Sequence, residues 1–157
     1  MSVNGKAEQR LRDLGIELPP APTPFGAYVE AVQSGNLLFI SGMLPTAGKE
    51  AKYVGRVGVE LSVAEGSKAA YMAGLNGLAV AKEYLGSLDK VTRVVRLGVS
   101  ITSSSEFKEH PKVADAASEL YESVFGKEKT SSRIVVGSSS LPLGCAVLLE
   151  VILEVEA

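Results

Sequence analysis

A chain of 157 residues, 46% hydrophobic and 22% charged, has the size and balance of one globular domain. At this length roughly 70% of the unfolded surface can be buried, so a core needs neither a disulfide nor a metal to hold it. Sixteen Lys and Arg against eighteen Asp and Glu leave a net charge of −2 with no basic stripe, which argues against a nucleic-acid partner tracked through its phosphates.

Residues 6–14 read as a short helix stopped by Gly15, with Ala7, Leu11 and Leu14 on one stripe. Pro19, Pro20, Pro22 and Pro24 then force an extended segment that lacks regular backbone donors. The boundary is set there: residues 1–24 form an N-terminal helix and proline-rich arm, and residues 25–157 a single domain. A strand over 27–33, turn chemistry at Ser34-Gly35-Asn36 and a short apolar strand over 37–42 predict a hairpin. After a turn over Pro45 to Gly48, residues 53–57 are expected to add a short third strand.

Ser62-Val-Ala-Glu65 is a capping box, and a long helix should run from it to about Leu85 with Gly86 as its stop. Gly66, Ala70, Ala73, Gly74, Gly77 and Ala81 give that helix a face almost without bulk, suited to lying close against a sheet. Residues 91–102, rich in β-branched side chains, read as a strand. Pro111 opens a helix ending at Phe125 with Gly126 behind it. Strands over 132–138 and 145–156 close the chain. In the last of these Val147, Leu149, Val151, Leu153 and Val155 share one face, and Ala146, Leu148, Glu150, Ile152 and Glu154 the other. The order predicts an α+β fold, a mixed sheet covered by two helices on one face. Its other face is left for self-association.

One cysteine, Cys145, and one histidine, His110, preclude an intrachain disulfide and a Cys/His zinc cage. No cofactor is expected, and neither a phosphate-binding loop nor a dinucleotide fingerprint occurs. A lone free thiol, a first decade of residues without an apolar run and no segment of about 18 consecutive apolar residues predict a soluble, cytoplasmic protein without membrane contact. Serines at 103–105, 131–132 and 138–140 lack an evident base. His110 reads as a helix-start residue and Cys145 as a small core residue.

Three motifs carry a family resemblance: Gly26-Ala-Tyr28-Val, then Ser34 through Ser41-Gly42-Met-Leu-Pro45, then Arg133 eight residues before Leu141-Pro-Leu-Gly144. Over residues 24–156 the chain resembles the YjgF/YER057c, or Rid (reactive intermediate deaminase), family, also labelled endoribonuclease L-PSP, and its N-terminal helix resembles the extension of a longer subfamily. The resemblance implies a chorismate-mutase-like fold and a homotrimeric barrel with clefts between subunits. It implies hydrolysis of 2-imino or enamine acids to 2-oxo acids and ammonia, with Arg133 as a bidentate clamp for the substrate carboxylate. Tyr28 and Ser41 would line the cleft, and Gly42 would let backbone approach the ligand.

The chain departs from that pattern at three positions. Leu148 stands where family enzymes carry a water-handling glutamate, Met43 where they carry glutamine, and Val135 where they often carry cysteine. Glu150, two residues on and on the same strand face as Leu148, is about 7 Å further along and becomes the substitute candidate. Three readings follow: an imine/enamine deaminase-like hydrolase, a non-catalytic trimeric protein that binds small carboxylates, and, with least support from the residues, an endoribonuclease. Arg133 has an alternative role in an ion pair with Glu150 or Glu154 of a neighbouring copy.

Overall fold

The computed structural model describes residues 6–157. Three helices, α1 (Lys6–Asp13), α2 (Val63–Leu85) and α3 (His110–Phe125), accompany strands β1 (Ala31–Ser34), β2 (Leu37–Met43), β3 (Thr46–Ala47), β4 (Glu50–Ala51), β5 (Val91–Thr102), β6 (Ser132–Ser138) and β7 (Val147–Val155). Five strands make one sheet in the order β1-β2-β7-β5-β6. All neighbours are antiparallel except β5 and β6. A parallel pair needs a crossover, and α3 supplies it. The outcome is the expected α+β sheet with α2 and α3 over one face.

The signals that set the helix ends are visible in the backbone. The Glu65 amide donates to Ser62 Oγ at 3.1 Å and the Ser62 amide to Glu65 Oε1 at 3.0 Å, so the capping box satisfies two donors at the start of α2. Gly86 ends the helix at φ 84°, a left-handed conformation that glycine adopts without strain.

On the covered face Val147, Leu149, Val151, Leu153 and Val155 are almost fully buried, in the alternation expected of β7. The small face of α2 turns chiefly toward α3, a correction to the expectation of a sheet contact. A Cβ on Gly74 would fall 2.8 Å from Leu120, and one on Gly66 would press on Val57 and Val113. At Gly77 helix and sheet converge: the added carbon would lie 2.5 Å from the Tyr121 hydroxyl and 3.7 Å from Met43 and Val151. Tyr121 is buried and donates to the Gly74 carbonyl at 3.0 Å. Burial pushes its phenol far above the ordinary range.

The N-terminal helix does not project as a free arm. Ala7 and Leu11 belong to the main core, while Leu14, expected on the same stripe, is 51% exposed. Gly15 already takes a left-handed turn beyond α1, and Ile16 packs against the core instead. Docking is directional: the Glu8 amide donates to Asp89 Oδ1 at 3.0 Å, and the Glu8 carboxylate accepts from the Leu88 amide at 2.8 Å and from Lys82 Nζ at 2.9 Å.

Residues 53–57 form no strand. Val54 and Val57 make only isolated bridges, and Tyr53 sits at φ 54°, which interrupts the extended backbone a strand requires. The small β3–β4 hairpin, turning at Gly48, takes its place. The uncovered face carries Val32, Phe39, Ile134 and Val136, all exposed, beside Leu148, Glu150 and Ile152 of β7.

Candidate functional site

Arg133 stands on β6, an edge strand, opposite Leu97 of β5. Leu97 is fully buried beneath the helices, so register places Arg133 on the helix-covered side. There its Nη1 donates to Asp115 Oδ1 at 2.8 Å and to Ser118 Oγ at 3.1 Å, both on α3. The pairing is within the chain, not with Glu150 or Glu154. Among the described residues Nε and Nη2 make no hydrogen bond, so one edge of the guanidinium fork remains open to a planar anion. Beside it a recess of about 200 Å³ is lined by Ser118, Tyr121, Glu122, Lys129 and Thr130.

Tyr28, Ser41 and Gly42 gather at the opposite edge of the sheet. Tyr28 is exposed, and its hydroxyl accepts from the Phe25 amide at 3.0 Å. Ser41 donates from Oγ to the Val29 carbonyl at 2.6 Å, which ties the approach to β1 against β2. Gly42 falls at the irregularity in the β2–β7 register between Ile40 and Met43. The space over it is taken: a Cβ there would meet Leu148 carbons at 3.2–3.3 Å. Leu148 therefore fills the volume in which backbone and ligand were expected to meet.

Glu150 lies on the uncovered face across from Gly98, and a Cβ on Gly98 would come 3.4 Å from its Oε2 and 3.6 Å from Ile134 Cγ2. Arg133 and Glu150 thus belong to opposite faces. Between β2 and β6 stand β7 and β5, so at ~4.8 Å per strand the Ser41–Gly42 group and Arg133 are about 14 Å apart in one chain. The fold gathers the candidate residues into two separate groups, one toward each edge of the sheet.

Two arrangements were not expected from the sequence. Asp115 engages Arg133, a pairing between residues 18 apart that only the packing of α3 on β6 creates. His110, separated from Ser103 by a loop, brings Nε2 to 3.4 Å from Ser103 Oγ and sets its ring edge-on to Phe107, centroids 4.9 Å apart. Gly137 makes room for the pair, since a Cβ there would lie 2.7 Å from His110 Nε2. The signal available was the apolar Phe107 ahead of His110-Pro111, which folds the loop back. Cys145 is fully buried, and burial pushes its thiol up, away from the nucleophilic thiolate.

A family model described as "YjgF/chorismate_mutase-like, putative endoribonuclease" matches residues 8–155. The chain belongs to the YjgF/Rid family. Protein TCP17 of Trypanosoma cruzi is 40% identical to this member over 152 residues, which is 96% of this chain and 95% of that protein. A 2-iminobutanoate/2-iminopropanoate deaminase of Dermatophagoides farinae is 30% identical, over 90% of this chain and 95% of that one. The crystal structure of the protein Atu1372, of unknown function, from Agrobacterium tumefaciens superposes with a TM-score of 0.86 at 36% identity, covering 96% of this chain and 94% of that one. The YjgF/Rid match begins within α1, in keeping with the docking of that helix on the core. No helix among the described residues is long and apolar enough to cross a membrane.

Proposed function

We propose that this YjgF/Rid protein is a deaminase-like hydrolase of small 2-imino acids, acting in a cleft completed by a second copy of the chain. The observation that carries the reading is the open Nε/Nη2 edge of Arg133, held at the sheet edge by Asp115 and Ser118. A guanidinium so fixed offers a planar carboxylate two parallel charge-assisted bonds. The two groups lie toward opposite sheet edges, so a head-to-tail ring of copies joins the β6 edge of one to the β1–β2 edge of the next. A homotrimer is the ring the family resemblance implies. The name of the Dermatophagoides farinae relative supports the chemistry.

In this reading Arg133 orients the acid, and Tyr28, Ser41 and Gly42 of the neighbouring copy form the facing wall. Water adds to the electrophilic imine carbon, the proton it loses passes to nitrogen, and the C–N bond of the resulting carbinolamine breaks to give the 2-oxo acid and ammonia. The rate gain comes from orientation, because a protonated imine needs little help from a base. Glu150 of that neighbouring copy, level with its Ser41 and Gly42 in the β2–β7 register and not on the face of Arg133, is the carboxylate assigned to proton transfer. No cofactor takes part.

Leu148 packed over Gly42 favours a second reading, in which the same clamp binds 2-oxo or other small carboxylates without turnover. One experiment separates the two. Imino acids generated in situ by an amino-acid oxidase are followed for ammonia and 2-oxo-acid release with wild type, Arg133→Ala and enzyme-free blanks. Acceleration by wild type alone supports hydrolysis. No acceleration, with 2-oxo acids still binding in a calorimeter, leaves the binding protein; no binding at all removes both readings.

A further inference from the structure

A second cavity, of about 540 Å³, lies at the β1 edge on the helix side, away from Arg133. Its volume falls in the range of small-molecule sites. One wall is the proline-rich segment over 21–24, another is Val29 and Glu30 leading into β1, and the third is Val80, Glu83 and Tyr84 near the end of α2. The walls mix apolar and polar surface, and the charged side chains that line the cavity, Glu30 and Glu83, are both negative.

Glu30 is the residue out of balance. Its Oε1 is shielded from solvent and has no hydrogen-bond partner, a state that buried polar atoms in native proteins rarely keep. Glu83 joins no ion pair among the described residues. Lys49, the cation whose field reaches Glu30, is committed elsewhere. It donates from Nζ to the Thr23 and Pro24 carbonyls at 3.0 and 2.8 Å and lies 4.0 Å over the Phe25 ring, so it fixes the proline wall in place. Burial raises the Glu30 carboxyl above its ordinary value, and Lys49 only partly opposes this. The pocket is short of positive charge.

We propose that this cavity binds a small organic ammonium ion, with Glu30 and Glu83 as its anionic acceptors, Tyr84 offering its ring to the cation and Val80 with the prolines packing the alkyl chain. A bare divalent ion fits poorly, since calcium takes six to eight oxygens and this cavity offers two carboxylates, from Glu30 and Glu83. The site does not depend on the reading given to Arg133.

The test is calorimetric titration of the full-length protein at pH 7.5 with butylammonium and with putrescine, against 1-butanol and magnesium chloride at matched ionic strength. The expected result is saturable binding of the ammonium ions at one per chain, absent for butanol and magnesium, weakened at least tenfold by Glu30→Gln and by Glu83→Gln. Both variants are checked for folding by circular dichroism, and Glu83, on an exposed helix surface, keeps the test decisive if Glu30→Gln unfolds. Binding should also weaken as pH is lowered, because burial makes the Glu30 carboxyl take up a proton at higher pH than an ordinary carboxylate, with Lys49 opposing; Glu83 and Tyr84 are the other titratable groups that line the cavity. Arg133→Ala should leave the titration unchanged. Equal binding of butanol, competition by magnesium, unaltered affinity in the glutamine variants or no heat at millimolar ammonium would overturn the proposal.

Discussion

At the scale of single residues, Arg133 is held by one nitrogen and open at the others, and that division can be tested from both sides. Arg133→Lys keeps the charge and loses the fork, so binding of a 2-oxo acid should weaken roughly tenfold, about 1.4 kcal/mol, by calorimetry. Asp115→Asn removes the anion that competes for the guanidinium at 2.8 Å, so the same titration should tighten. A weaker complex in Asp115→Asn would mean that the aspartate aims the fork more than it competes for it. Gly77 offers a packing test. Alanine gains about 1 kcal/mol of helix propensity, yet its Cβ would fall 2.5 Å from the buried Tyr121 hydroxyl, so a net loss on the order of 1–2 kcal/mol is expected. Tyr121→Phe removes the oxygen in the way, so in denaturant melts Gly77→Ala should cost much less in the Tyr121→Phe background than in wild type.

At the scale of elements, most boundaries were legible because the local signals and the tertiary structure agree. The capping box at Ser62, the glycines at 86 and 126, the β-branched run over 91–102 and the alternation of β7 each mark an end or a face that folding only has to confirm. Ser62→Ala should therefore cost about 1 kcal/mol, read as a lower melting temperature. Residues 53–57 were misread because Tyr53 adopts a left-handed φ that no residue-type signal announces. The face of α2 was read correctly as a close-approach surface, but period alone does not say whether a helix or a sheet fills it. The same limit explains the site: Arg133 was identifiable from its motif, whereas Asp115 and the Ser103–His110 contact exist only once α3 lies across β6.

Docking of α1 has a pH signature of its own. Burial by itself would push the Glu8 carboxyl up, but the Leu88 amide and Lys82 outweigh that and hold it below its ordinary value. A carboxyl with a depressed folded value stabilises the docked helix at pH above its unfolded pKa, near 4.5, and loses that contribution as pH falls through the lower folded value. Protection factors of the α1 amides, which remove the intrinsic pH dependence of exchange, should fall selectively below about pH 4.5, ahead of those of α2 and α3, and Glu8→Gln should remove that selective fall.

At the scale of the whole molecule, the uncovered sheet face presents Phe39, Ile134 and Val136, all exposed in the single chain, between charged neighbours. In the ring proposed above, cyclic association would bury this face and bring the two groups of candidate residues together. Light scattering should give a homo-oligomer, a trimer in the proposed ring, and Phe39→Asp should shift it toward monomer while carboxylate binding falls. A monodisperse wild-type monomer would remove the shared cleft.

The strand order also dictates when this protein can fold during its synthesis. β7 sits between β2 and β5, yet it is the latest made of the seven strands, and β2 is translated more than a hundred residues before it. Until residues 147–155 have left the ribosome, the β1–β2 hairpin and the β5–β6 pair have no strand to join them, and the edges of β2 and β5 that β7 will fill stay unpaired. A nascent chain halted before Val147 should remain open to proteases and hold chaperones, and the protection should arrive in one step when β7 emerges.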